Sequence, residues 1–177
     1  QCNREDLKAN SVKIFDSYLE NGFTKAGFFK EFVNFDKGYY EPIHSIRRQS
    51  EGIYAMLHFL AYEKASGRRH PKWEQCVKKM LDMFLQLQSP DGSFPRKFRD
   101  DTIVDQSGGS TPSATLPLVM GYKYFKDKRY LISAKRTADY LEKELISKAD
   151  YFSSTLDANC EDKEASLYSA TATYYLS

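Results

Sequence analysis

The stretch IYAMLHFLAY at 53–62, followed after Gly67 and Pro71 by WEQCVKKMLDMFLQL at 73–87, decides the fold. The first is apolar on nearly every side, with His58 its one strongly polar residue. A helix of that kind must be covered all round. In the second, Trp73, Cys76, Val77, Met80, Leu81, Phe84 and Leu87 fall on one stripe, with Glu74, Lys78, Lys79 and Asp82 opposite. That spacing predicts a helix with one wet face. Gly67 closes the first helix and Pro71 suits the first turn of the second. A buried helix, a short turn and an amphipathic helix make a hairpin with an inner and an outer arm.

The same pair recurs outward in both directions. Upstream, residues 4–20 carry Val12, Phe15 and Leu19 at helical spacing and end at Gly22. Downstream, 114–125 is again small or apolar, with Ser110 or Thr111 as cap, Pro112 in the first turn and Pro117 expected to kink it. Asp127 can cap the next helix, whose stripe is Tyr130, Ala134, Ala138, Leu141 and Leu145. The segment 165–176 carries no charge, and the chain stops inside it. Setting Trp73 on Tyr130 brings Val77 onto Ala134, Leu81 onto Ala138 and Phe84 onto Leu141, a repeat of roughly 60 residues. The expected fold class is therefore all-α: helical hairpins in an (α/α) toroid, alternating buried inner and amphipathic outer helices, in one domain over 1–177. An irregular helical bundle and a solenoid of paired helices are the competing architectures. The outer-to-inner connections are long, and long connections in a compact domain tend to carry function. Each leads into an inner helix, so all should emerge at one end.

Composition narrows the possibilities. Basic residues number 26 and acidic ones 24, so no chain-wide attraction draws nucleic acid or an anionic membrane. No apolar run reaches the ~20 residues that span a bilayer. Cys2, Cys76 and Cys160 are odd in number and widely spaced, which fits neither a disulfide framework nor a zinc site. His44, His58 and His70 lack metal-ligand spacing, and neither a phosphate loop nor a Gly-x-Ser-x-Gly elbow occurs. No metal and no cofactor is called for. His58 and Cys76 are expected in the core. The compartment stays open: periplasmic or secreted for a bacterial polysaccharide-processing protein, cytoplasmic otherwise.

Three motifs carry a resemblance. QSEGIY at 49–54, QSPDGSFP at 88–95 and DANCEDKEAS at 157–166 look like the hairpin repeats of six-hairpin (α/α)6 glycosidase-like proteins. The likeness is one of repeat style over most of the chain. It implies a sugar-binding face at the N-termini of the inner helices and, with three inner helices, an incomplete barrel. Upstream and downstream residues are then expected to be missing, and the remainder of the toroid, or a second copy, would cover the last helix. Gln88, Gly92 and Phe94 also resemble the Gln-Gly-Trp repeat of terpenoid-cyclase-like toroids, with Phe for Trp.

Sugar hydrolysis needs one carboxyl as acid and a second as base or nucleophile. The loops supply Asp36 and Glu41; Asp100, Asp101 and Asp105; and Asp157, Glu161, Asp162 and Glu164. Asp101, Asp162, Glu161 and Asp100 are the catalytic candidates, the adjacent Asp100–Asp101 pair because like charges push one carboxyl's pKa upward. Glu51 and Glu164 fall near inner-helix starts, where the helix dipole favours the ionised form and suits a base. Tyr39, Tyr40, Phe94 and Phe98 are candidates for stacking on a saccharide, alongside His44, Arg47 and Glu51 as binding groups. Arg47, Arg48, Arg96, Lys97 and Arg99 could meet an acidic sugar, since Arg forks bind oxyanions bidentately. The expectation is a glycoside hydrolase acting on a polysaccharide or oligosaccharide. A polysaccharide lyase, using Tyr39, Tyr40, His44 and Arg47, a terpenoid-cyclase-like toroid and a non-catalytic helical binding module remain the alternatives.

Overall fold

The computed structural model describes residues 4–107, 110–151 and 163–176. Six helices follow in order: α1 (Glu5–Asn21), α2 (Ile46–Ala65), α3 (Pro71–Leu87), α4 (Thr111–Phe125), α5 (Lys128–Tyr140) and α6 (Lys163–Leu176). A π-helical turn, Leu141–Ile146, continues α5. Between them lie short strands: β1 (Val33–Asn34) with β2 (Tyr39–Tyr40), and a three-stranded sheet of β3 (His44–Ser45), β4 (Lys97–Arg99) and β5 (Thr102–Asp105). The strands sit in the long outer-to-inner connections and leave the class mainly α.

The two layers form as the hydrophobic patterns dictate. Helix α4 packs against α2 on one side and α6 on the other, with α5 and α3 behind it. Its residues from Thr111 to Val119 are all buried, whereas α5 buries only Tyr130, Ser133, Ala134 and Thr137. The α3 stripe of Trp73, Val77, Met80, Leu81, Phe84 and Leu87 is buried, and Cys76 at its edge is half-covered. On α1, Val12, Phe15 and Leu19 rest half-buried on the core. Trp73 fixes the outer layer at its corner: its indole N–H donates to Asp16 at 3.0 Å while His70 stacks on its ring at 3.9 Å.

Two local expectations need correction. Ser110 occupies the N-cap position of α4, but its hydroxyl makes no cap bond; Asp127, by contrast, accepts from the Arg129 amide at 3.0 Å. His58 is exposed, with Tyr54 edge-on at 4.4 Å, rather than a core residue. The reason lies in α2 as a whole. Ile53, Met56, Leu57 and Leu60 are buried, while Tyr54 and His58 lie on a second stripe that starts with Arg47 and Glu51. Counting tyrosine as apolar hid that stripe: the Tyr54 hydroxyl is polar and meets the Tyr175 hydroxyl of α6 at 3.2 Å.

The first two connections meet at one end, while most of the third lies outside the described residues. Strand β3, from the loop into α2, pairs antiparallel with β4, from the loop into α4 (His44 opposite Phe98, Ser45 opposite Lys97). The 88–95 turn is clamped to α5. Gln88 Nε2 donates to the Ser133 carbonyl at 3.0 Å and to Thr137 Oγ1 at 2.9 Å, while Ser133 Oγ donates to Gln88 Oε1 at 2.8 Å. Gly92 has a φ of +96° and lies directly on the Arg136 carbonyl. The Gln-Gly pair therefore works as a brace that positions β4.

Candidate functional site

Helices α2 and α6 carry facing polar residues across α4. Arg47 lies in the first turn of α2; its Nε donates to Glu51 Oε1 at 3.2 Å, and its Nη1 meets Glu164 Oε2 of α6 at 2.6 Å. Tyr168 donates from its hydroxyl to Glu51 at 2.7 Å. Burial, then the Glu51 carboxylate, push the Tyr168 phenol up to about 12, so it stays a hydrogen-bond donor at neutral pH. Tyr54 is also pushed to about 12, first by its bond to Tyr175 and then by burial. One cation between two part-exposed carboxylates, with a phenol beside them, can grip sugar hydroxyls from several directions.

A cleft of about 330 Å³ adjoins this cluster, with Arg47 in both. Its walls come from the first two connections and the start of α2, and include Glu31, Phe32, Glu41, His44, Arg48, Arg96 and Lys97. Glu31 holds the wall together. It accepts from the Ser45 amide at 2.7 Å and from Gln49 Nε2 at 2.9 Å, and burial pushes its carboxyl pKa up against those bonds. Gln49 also exchanges two hydrogen bonds with the Phe29 backbone, which ties the first connection to α2. Arg48 spreads its guanidinium over the Phe32 ring at 4.4 Å. His44 is buried between Phe28 and Phe98, and burial lowers its imidazole pKa, favouring the neutral ring.

Five buried polar side-chain atoms have no partner among the described residues: His44 Nδ1, Ser50 Oγ, Arg96 Nε, Ser110 Oγ and Thr115 Oγ1. They fall on β3, just before β4, and in the opening turns of α2 and α4. Buried polar groups are almost always bonded, so a concentration of orphans at one end of the molecule marks where solvent or ligand belongs.

The structure gathers some of the sequence-derived candidates and separates others. Arg47 and Glu51 sit at the centre of the cluster, and His44 lines the cleft. Tyr39 stands 55% exposed on the β1–β2 hairpin, and Tyr40 lies under the Lys30 ammonium at 5.1 Å; neither lines the cleft. Phe94 and Phe98 are fully buried, Phe94 against Phe84 and Phe98 against Phe28. Saccharide stacking is closed to both, because strand alternation turns Phe98 inward and the Gln88–Gly92 brace carries Phe94 beneath the turn. Asp100 and Asp101 form the exposed β4–β5 turn and line a hollow with Ala26, Met83, Gln86 and Leu87, on the side of outer helix α3. Glu161 and Asp162 lie outside the described residues. Tyr168, Tyr54 and Glu31 are further candidates that no sequence motif marks. Spacing alone brings out both tyrosines: Arg47, Glu51, Tyr54 and His58 recur at i, i+4, i+7 and i+11, and Tyr168 follows Glu164 at i+4. Among the described residues no three His, Cys, Asp or Glu side chains gather to hold a metal ion, and no helix is long and apolar enough to cross a membrane.

No family model matches the chain. Its structure is similar to that of cellobiose 2-epimerase from Bacillus thermoamylovorans, with a TM-score of 0.66 and 21% identity over 80% of this chain and 36% of that one. It is likewise similar to a sugar epimerase from a ruminal bacterium, with a TM-score of 0.71 and 15% identity over 98% of this chain and 49% of that one. At such identities the likeness establishes the fold alone: inner and outer helices arranged as in an (α/α)6 toroid. The chain spans between 36% and 49% of the length of these two proteins.

Proposed function

We propose that this chain contributes a saccharide site to a carbohydrate-active enzyme, with the sugar held at the loop-bearing end of the inner helices. The observation that carries the reading is the Arg47–Glu51–Glu164–Tyr168 cluster, which joins two inner helices beside a cleft. Glu51 and Glu164 are the carboxylates through which acid–base chemistry would run. Arg47 orients both, and Tyr168 directs Glu51. Hydrolysis of a glycosidic bond by a carboxylate pair is the first reading of the reaction. Glu161 and Asp162, just before α6, are further acid candidates for it. Fold similarity to two sugar epimerases favours a second reading, in which the same groups take a proton from a sugar carbon and return one to its opposite face, leaving the glycosidic bond intact.

One assay separates these readings. The intact protein is incubated with cellobiose and related oligosaccharides, and the products are resolved by chromatography and NMR. Hydrolysis yields shorter sugars, whereas epimerisation yields an isomer of unchanged mass. Glu51→Gln and Glu164→Gln should each lower kcat/KM by roughly 10²-fold or more, as expected for loss of an acid–base group. Full turnover in both variants refutes the site. No sugar turnover or binding across a broad panel refutes the function.

A further inference from the structure

The cleft beside the Arg47 cluster is rich in cations. Arg47, Arg48, Arg96 and Lys97 line it, against the carboxylates of Glu31 and Glu41. The Glu31 charge is committed inward: its side chain is 5% exposed, bonded to the Ser45 amide and Gln49, with Arg48 at 3.6 Å from the remaining oxygen. Asp105, the acid nearest Arg96, is held in the same way. It accepts from the Ser107 amide at 2.9 Å and the Ser107 hydroxyl at 2.6 Å, and stands 3.8 Å from the Arg96 guanidinium. Arg96 is therefore a cation with a 7% exposed side chain, a long ion pair to Asp105 and a buried Nε lacking any partner. His44, on the paired strand, leaves a second buried nitrogen, Nδ1, unpartnered in the same wall. A buried guanidinium whose one side-chain hydrogen bond, from Nη1 to Ser107 Oγ, is 3.5 Å long carries a desolvation cost that an oxyanion in the cleft would offset.

We infer that this cleft is a subsite for a negatively charged sugar, one bearing a carboxylate or a sulfate. The inference deepens the saccharide reading above and rests on it. Arg96 and Lys97 lie at successive positions, one before β4 and one at its start, while Arg48 is on α2, so an oxyanion would be approached from two sides. A guanidinium offers paired N–H groups that match either anion, while a neutral hydroxyl satisfies fewer of them. Arg47 belongs to both the cleft and the carboxylate cluster, which places the anionic ring next to the reacting one.

Calorimetric or NMR titration of the intact protein with D-glucuronate, D-glucose 6-sulfate, D-glucose and inorganic sulfate tests the inference. One of the two charged sugars should bind at least roughly tenfold more tightly than glucose, as one charge-assisted pair gives. The identity of the tighter one tells carboxylate from sulfate. Raising ionic strength should narrow the gap. Lys97→Gln and Arg48→Gln, both at solvent-accessible positions that leave the core intact, should narrow it as well, and Arg96→Gln should remove it. Equal affinity for glucose and both charged sugars, or an unchanged gap in all three variants, overturns the charged-sugar subsite while leaving the saccharide site standing. Inorganic sulfate binding as tightly as glucose 6-sulfate reduces the cleft to an anion site and overturns its role as a sugar subsite. Absence of binding by every sugar overturns the saccharide reading itself.

Discussion

Replacing Gly92 by alanine tests how the 88–95 turn holds the functional end of the molecule. Gly92 has a φ of +96°, and a Cβ built there would lie 2.1 Å from the Arg136 carbonyl oxygen and 2.6 Å from its carbonyl carbon. Both neighbours are backbone atoms of α5, so no side-chain rotation relieves the clash. The left-handed conformation costs an L-residue about 1–2 kcal/mol. Parting the turn from α5 adds about 1–3 kcal/mol, the usual cost of overpacking. Movement of the turn also lengthens the bonds from Gln88 to Ser133 and Thr137. A total of about 2–5 kcal/mol corresponds to a drop in Tm of about 4–20 °C for a chain of this size. Gly38→Ala is the control. Its φ is +58° with nothing within 4 Å of the added Cβ, so only the conformational part applies. Thermal unfolding followed by circular dichroism should place Gly92→Ala well below Gly38→Ala, and Gly38→Ala slightly below the parent. Gly92→Ala melting as high as Gly38→Ala would refute the close approach of turn and helix.

Other outcomes follow from the same contacts. The Arg68 guanidinium, and then His70, hold the buried Glu63 carboxyl at about 2, against an ordinary value of 4.5. A depressed carboxyl stabilises the fold above its unfolded pKa and loses that contribution as pH falls through the folded one. Tm should therefore decline between about pH 5 and pH 2, and Glu63→Gln should start lower and decline less over that window. Tyr130→Phe removes the bond from its hydroxyl to Asp82 at 2.9 Å and should cost about 1 kcal/mol, read from urea unfolding. Tyr168→Phe should lower kcat far more than Tm, because its hydroxyl serves Glu51 at the part-exposed site and not the core.

Legibility in the sequence tracked the physics of each segment. The outer helices α3 and α5 were plain because one apolar stripe against one charged face has a single solution. Helix α4 was plain because its small and apolar residues run unbroken from Ala114 to Val119. The early start of α2 was obscured because Arg47, Arg48 and Glu51 interrupt the apolar run exactly where the site lies. Strands β1 to β5 span two to four residues each, too short for alternation to show. The hairpins β1–β2 and β4–β5 each close within one connection, while β3 and β4 pair across the two, a long-range effect with no local signature. Phe94 and Phe98 read as ligand-facing in the sequence because a loop aromatic carries no local sign of which way it turns. The Gln88–Gly92 brace and the β3–β4 pairing decide that both face the core. Asp100 and Asp101 drew notice as adjacent charges, but a hairpin turn is where such a pair is solvated most cheaply.

The most direct test of the saccharide site is a crystal structure of the intact protein with a bound oligosaccharide. A sugar ring should lie within hydrogen-bonding distance of Arg47, Glu51 or Tyr168, with a neighbouring ring entering the cleft of Arg48, Arg96 and Lys97. A sugar bound instead in the hollow of Asp100, Asp101 and Met83, with the Arg47 cluster untouched, would contradict that placement.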